Sequence, residues 1–139
     1  MESMVNGNIL AVRLRQGEKV MPSLEEAVRS DGRRLGIIIS GAGMMKSVRL
    51  GYFMGKGTYK ENLLIEPREI VSAEGNFVNG PGGFHAHVHV GLADDDSRVL
   101  GGHLKEALIH GTGEFFIYMC QAEVTRVDDE DTGLKGLKL

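Results

Sequence analysis

Apolar and polar positions first alternate at Ile9-Leu-Ala-Val-Arg-Leu-Arg15, the period of a half-buried strand, and Gln16-Gly17-Glu18 supplies a closing turn. The period then changes. Leu24, Ala27 and Val28 share one helical face, Ser23 and Glu26 have capping-box spacing, Pro22 blocks any helix upstream, and Asp31-Gly32 is the stop. Leu35-Gly-Ile-Ile-Ile39 lacks polar alternation and predicts a strand buried on both faces, broken at Ser40-Gly-Ala-Gly43. Strand character resumes at Val48–Phe53, Tyr59–Leu64 and Arg68–Ala73, separated by Gly55-Lys-Gly57 and Pro67. After a loop at Asn79-Gly-Pro-Gly-Gly83 come Phe84–Leu92, an acidic turn Ala93–Ser97, Arg98–Leu100, and a β-rich run from Glu114 through Met119 toward Val127. One main helix among about seven strands predicts an α+β domain on a largely antiparallel sheet.

A chain of 139 residues suits a single core, here residues 1–127, and leaves 128–139, which opens on Asp128-Asp-Glu-Asp131, as a charged C-terminal tail expected to fray. Glycine, at 20 residues, is about twice its usual share and implies many tight turns. The single Cys120 excludes an intramolecular disulfide and a cysteine-based zinc ribbon. No stretch reaches the ~18 apolar residues of a membrane span, and Met1-Glu-Ser-Met-Val-Asn-Gly-Asn8 has no basic leader, so a cytoplasmic protein with no membrane partner is expected. Net charge is −3. Residues 1–60 carry ten Lys and Arg against five acids, and 61–139 carry six against fourteen, so a basic patch has some material but the overall field disfavours DNA.

The chemistry concentrates in histidine. His85, His87 and His89 recur at every second residue and therefore project from one face of a strand, opposite Phe84, Ala86, Val88 and Val90. A hairpin with its tip at Asp94-Asp-Asp96 and its midpoint near Asp95 sets His103 opposite His87, and His87, His89 and His103 then converge. Three neutral imidazoles are the ligand set of an open zinc site or a related divalent site. Zinc is the first choice, with iron, nickel and manganese behind it. Gly101 and Gly102 permit a bulge or a close backbone approach that re-aims His103. The competing reading is a polar sheet face or a subunit boundary with ordinary hydrogen bonds. Glu114 is the weaker candidate for a catalytic base, against an ordinary exposed carboxylate. Asp94–Asp96 read as turn residues, Cys120 as packing, and Gly41-Ala-Gly43 lacks the spacing of a phosphate cradle.

His87-Val-His-Val-Gly-Leu-Ala-Asp-Asp-Asp-Ser-Arg-Val-Leu-Gly-Gly-His-Leu104 resembles the signature of the plants-and-prokaryotes conserved (PPC) domain: His-x-His, a turn, then Gly-Gly-His-Leu. Val12-Arg-Leu14, Ser40-Gly-Ala-Gly43, Leu50-Gly-Tyr-Phe53 and Glu69-Ile-Val-Ser-Ala-Glu-Gly75 extend the resemblance over nearly the whole chain. It implies a PPC-domain-like α+β fold, a homotrimer with the histidines near a subunit boundary and, as in some prokaryotic members, a bound metal on His87, His89 and His103. His85 lies outside the pattern and is an additional ligand, a neighbour of the ligands, or neither. Ser97 replaces the glycine that usually follows the acidic turn, and Glu66-Pro67-Arg68 replaces the plant Gly-Arg-Phe. Prokaryotic relatives often carry a DNA-binding label, yet the Arg-Gly-Arg-Pro core of the plant AT-hook is absent here. Three readings stay open: a metal-binding homotrimer with or without small-molecule hydrolase or lyase chemistry, a DNA-associated regulatory module using Arg13, Arg15, Arg33, Arg34, Lys46 or Arg49, and an assembly domain.

Overall fold

A computed structural model describes residues 1–80 and 83–139, which form nine strands and one helix. In chain order they are β1 (Glu2–Asn6), β2 (Ile9–Arg15), α1 (Val20–Asp31), β3 (Leu35–Gly55), β4 (Thr58–Leu64), β5 (Arg68–Gly80), β6 (Gly83–Ala93), β7 (Val99–Cys120), β8 (Thr125–Asp129) and β9 (Leu134–Lys138). The first seven strands make one antiparallel sheet in the order β1-β2-β7-β6-β5-β3-β4, with β7 also paired to β3. Thus β3, β5, β6 and β7 pair in a closed circuit. Closure satisfies strand edges that would otherwise stay open.

Leu10, Val12 and Leu14, the inward positions of β2, are buried, and so are Leu24, Ala27 and Val28 on α1, as their spacing predicts. The helix begins earlier than expected. It starts at Val20 without a side-chain cap at Lys19, and Ser23 and Glu26 lie inside it. The carboxylate of Glu106, on β7, accepts the Met21 amide at 3.3 Å, so a residue distant in sequence serves the first turn. Pro22 sits in that same turn, where the amide it lacks has no intrahelical acceptor. Gly32 ends the helix in the left-handed conformation.

Three strand expectations need correction. Leu35–Ile39 is buried on one face only, with Ile37 42% and Ile39 57% exposed. Ser40-Gly-Ala-Gly43 does not end the strand: β3 runs on to Gly55 through register shifts between Ile38 and Ser40 and between Gly43 and Met45. Val99 and Leu100, though not Arg98, belong with the run from Glu114 to one 22-residue strand, β7, which bends enough to pair with β2, β3 and β6 in turn. The loop expected at Asn79–Gly83 lies partly outside the described residues. β1 answers no expectation, because all five of its residues are exposed and show no apolar alternation.

The tail carries regular structure. β8 and β9 form a hairpin whose Thr132 carbonyl accepts the Gly57 amide at 3.0 Å, and Arg126 Nη2 donates to Asn76 Oδ1 of β5 at 2.8 Å. The hairpin therefore lies beside the histidine face.

Candidate metal centre

β6 does what its period requires: Val88, Val90 and Leu92 are buried in the core, and His85, His87 and His89 project from the opposite face. β7 brings His103 directly opposite His89, not His87. The reason is the connecting turn. Its loop is Asp95-Asp96-Ser97, with the Asp94 amide bonded to the Arg98 carbonyl and Ser97 in the left-handed region at φ 62°. This is the three-residue hairpin with a left-handed last position. Centring it on Asp96 moves every pairing by two residues. A shift of two preserves the faces, so the convergence survives the error in register. Gly101 makes the approach possible: a Cβ there would stand 2.3 Å from the Val90 carbonyl oxygen.

The ring centroids of His87, His89 and His103 are 5.0, 5.2 and 5.4 Å apart pairwise, and the three potential ligand atoms lie within 4.8 Å of one another. The Nε2 atoms of His87 and His89 are 3.1 Å apart. Two nitrogens bound to one ion at about 2.0–2.1 Å stand roughly 2.9–3.4 Å apart, so this pair already has the spacing of a chelate.

Around the rings Tyr59 stacks 5.6 Å from His103, and Lys105 Nζ sits 3.8 Å above the Tyr59 ring. Lys105 is placed there by a bulge, since Arg49 pairs with Glu106 while Leu50 pairs with Leu104. Three cavities meet at the histidines. One of 370 Å³ is bounded by Tyr52, Phe53, Tyr59, His87, His103 and Leu134. A second, of 160 Å³, lies between Tyr59, His85, His87, His103, Arg126 and Lys135. Glu74, Gly75, Asn76, His87 and His89 line a third of 280 Å³.

Burial, followed by the charges of His89, Arg126 and Lys105, holds His87 below the usual imidazole range. His103 is pushed down to about 4 by burial first, then by Lys105, His87 and His89. Both rings are consequently neutral at physiological pH, the state that ligates metal. The buried Nδ1 of His103 has no hydrogen-bond partner among the described residues, an orphan that suits a ligand atom or a water. The residues present therefore fit a divalent ion.

His85 shares the face and lines the smallest of these cavities but is not part of the three-ring group. Glu114 is remote from it: it pairs with Arg13 and Ala42 at the other end of β7 and lines a separate 360 Å³ cavity. Asp94 organises the acidic turn by accepting from the Asp96 and Arg98 amides. Cys120 is a half-buried free thiol at the end of β7. Tyr59, Lys105, Asn76 and Arg126 were not singled out as site residues from the sequence. Only Lys105 had a local signal, as a neighbour of Gly-Gly-His-Leu.

Residues 1–121 match the family model of the Plants and Prokaryotes Conserved (PCC) domain. The fold is similar to that of a Bacteroides thetaiotaomicron protein bearing the provisional name of DNA-binding protein, with TM-score 0.92, 25% identity and coverage of 99% of this chain and 96% of that one. A plant- and prokaryote-conserved protein from Pyrococcus horikoshii is similar at TM-score 0.80 and 27% identity, covering 98% and 100%. A metal-containing protein from Archaeoglobus fulgidus is similar at TM-score 0.83 and 30% identity, covering 99% and 97%. No match to the chain was found among curated proteins.

Proposed function

Because the chain belongs to the Plants and Prokaryotes Conserved (PCC) domain family, we propose that it is a homotrimeric protein holding a divalent transition metal, zinc foremost, on His87, His89 and His103. The observation that carries this reading is the convergence of three imidazoles from two strands, two of them held neutral by burial. The metal-containing Archaeoglobus fulgidus relative supports it. His87, His89 and His103 would hold the ion, which would supply the Lewis acidity that a small-molecule hydrolase or lyase uses. The chain itself supplies the neutral donors, a wall of Tyr59 and Phe53, and the cations Lys105 and Arg126. Glu114 is too far along β7 to act as a base at this centre.

Metal analysis of protein purified without a polyhistidine tag tests the reading. Near-stoichiometric metal is expected in the native chain and its loss in His103→Ala with secondary structure intact; full metal content in the variant would remove His103 from the site. The trimer is supported by the apolar row Ile37, Ile39, Phe116 and Tyr118, exposed on neighbouring strands with Ile37 directly opposite Tyr118. Sedimentation decides it, since a concentration-independent 15.1 kDa species would end the assembly claim.

A DNA-associated regulatory role is the second reading, favoured by the provisional name of the Bacteroides relative. Of the six basic residues available for it, five already face carboxylates: Arg13 and Arg15 with Glu2, Arg33 with Asp31, Arg34 with Glu123 and Arg49 with Glu61.

A further inference from the structure

We infer that the cavity between Arg126 and the histidine triad binds a small oxyanion, a carboxylate or inorganic phosphate, which Arg126 holds against the metal-binding histidines. The inference deepens the metal reading and rests on it for the second contact.

Arg126 reaches the site from the C-terminal hairpin, beyond the residues that match the family model. Its Nη1 donates to the Lys135 carbonyl at 2.6 Å, its Nη2 donates to Asn76 Oδ1 at 2.8 Å, and its buried Nε has no partner among the described residues. Both partners are neutral. Among the described residues no carboxylate pairs with this guanidinium, although most other arginines of the chain have one. A partly buried cation without a counter-charge costs free energy that an anion recovers on binding.

Lys105 adds to the deficit: its Nζ rests on the Tyr59 ring and forms no ion pair among the described residues. Among the described residues no acid lines the 160 Å³ cavity or the 370 Å³ cavity beside it. Glu74 lines the third cavity at the histidines, away from Arg126. A divalent ion on the histidines would raise the positive charge further, so the group this pocket lacks is an anion.

Size narrows the class. At about 30 Å³ per water, the smaller cavity has room for roughly five water-sized groups, enough for phosphate or a short carboxylate. His87, His103 and Arg126 line the same small cavity, so one anion there has both within reach. A guanidinium has five N–H groups, of which the hairpin clasp uses two, and charge-assisted bonds from the remainder suit an oxyanion.

Calorimetric titration of the full chain with malonate and, separately, inorganic phosphate tests this, with zinc loaded and with zinc stripped. One of the anions should saturate the loaded protein, Arg126→Gln should weaken that binding about tenfold or more while zinc content stays at the native level, and Arg126→Lys should fall between. The preferred anion identifies the source of the oxyanion. Equal binding by Arg126→Gln, or no binding of either anion to the native chain at about 10 mM, overturns the proposal. Should Arg126→Gln fail to fold, the Arg126 Nε–H resonance of the native chain decides: it must shift on saturation, and an unmoved resonance overturns the proposal. Failure of the metal reading appears separately, as native protein that takes up no zinc. Anion binding to that zinc-free protein must still depend on Arg126, and its absence overturns the oxyanion site as well.

Discussion

Ser97 occupies a conformation that costs an L-residue with a Cβ roughly 1–2 kcal/mol, at φ 62° in the turn joining the two histidine strands. A glycine would adopt this conformation without that cost. Ser97→Gly should raise stability by about 0.5–1 kcal/mol, the relieved strain less the extra entropy glycine loses on folding. Urea denaturation measures it, and a loss of stability would mean that the serine hydroxyl contributes more than the strain costs. His103 sets a pH dependence at the same scale. Its folded pKa of about 4 lies below the ordinary 6.5, so between these values the unfolded chain binds more protons than the folded one. Stability of the metal-free protein should therefore be complete above about pH 6.5 and fall as the pH drops toward 4, with His87 adding in the same direction. Denaturation midpoints across that window check it, and His103→Gln should flatten the profile.

At the scale of elements, the histidine face depends on how closely β5 and β6 approach. Gly75 pairs with Val88 at φ 155°, and a Cβ there would stand 2.1 Å from the His87 carbonyl oxygen. Gly75→Ala should cost roughly 1–3 kcal/mol and lower metal content without altering any imidazole, because the clash falls on the backbone that carries His87. Thermal unfolding and metal analysis read the two effects together. Unchanged values in both would show that the sheet relaxes around the methyl group at no cost to the site. The helix teaches the same lesson about context. Ser23 and Glu26 have capping-box spacing, yet Glu106 from β7 serves the first turn, because the chain before Pro22 is held in place by the bridge between Lys19 and Leu108.

For the whole molecule, charge distribution bears on the DNA reading. Arg33 donates to Asp31, to the Gly7 carbonyl and to Asn8 Oδ1, joining the β1–β2 turn to the end of the helix. It is a structural clasp more than a phosphate contact. Each phosphate neutralised contributes roughly 0.9 to the log–log salt slope, and few of these cations can engage one without leaving a carboxylate. Titration with long duplex at about 150 mM salt should give no sub-micromolar binding. Tight binding with a steep salt slope, lost in Arg34→Ala and Arg49→Ala, would promote the DNA-associated role. Arg33 is unsuited to that test, since its replacement would disturb the fold.

Which residues share a face was legible from neighbouring positions along the chain. Period two put His87 and His89 opposite Val88 and Val90, period 3.6 put Leu24, Ala27 and Val28 on the buried side of α1, and Gly32 marked where the helix stops. These are properties of neighbouring residues, and local backbone geometry transmits them directly. Pairing was decided only by the tertiary structure. That His103 meets His89 follows from a three-residue turn closed by a left-handed Ser97, that β3 continues past Ser40-Gly-Ala-Gly43 follows from ladders on both its sides, and that Ile37 and Ile39 lie exposed follows from which face the core occupies. Arg126 is the extreme case. It meets the site through a hairpin closed 50 residues away from Asn76, and no periodicity encodes contacts made at that separation. The neutral imidazoles belong with it, because burial and the nearby cations that shift a pKa exist only once distant strands have come together.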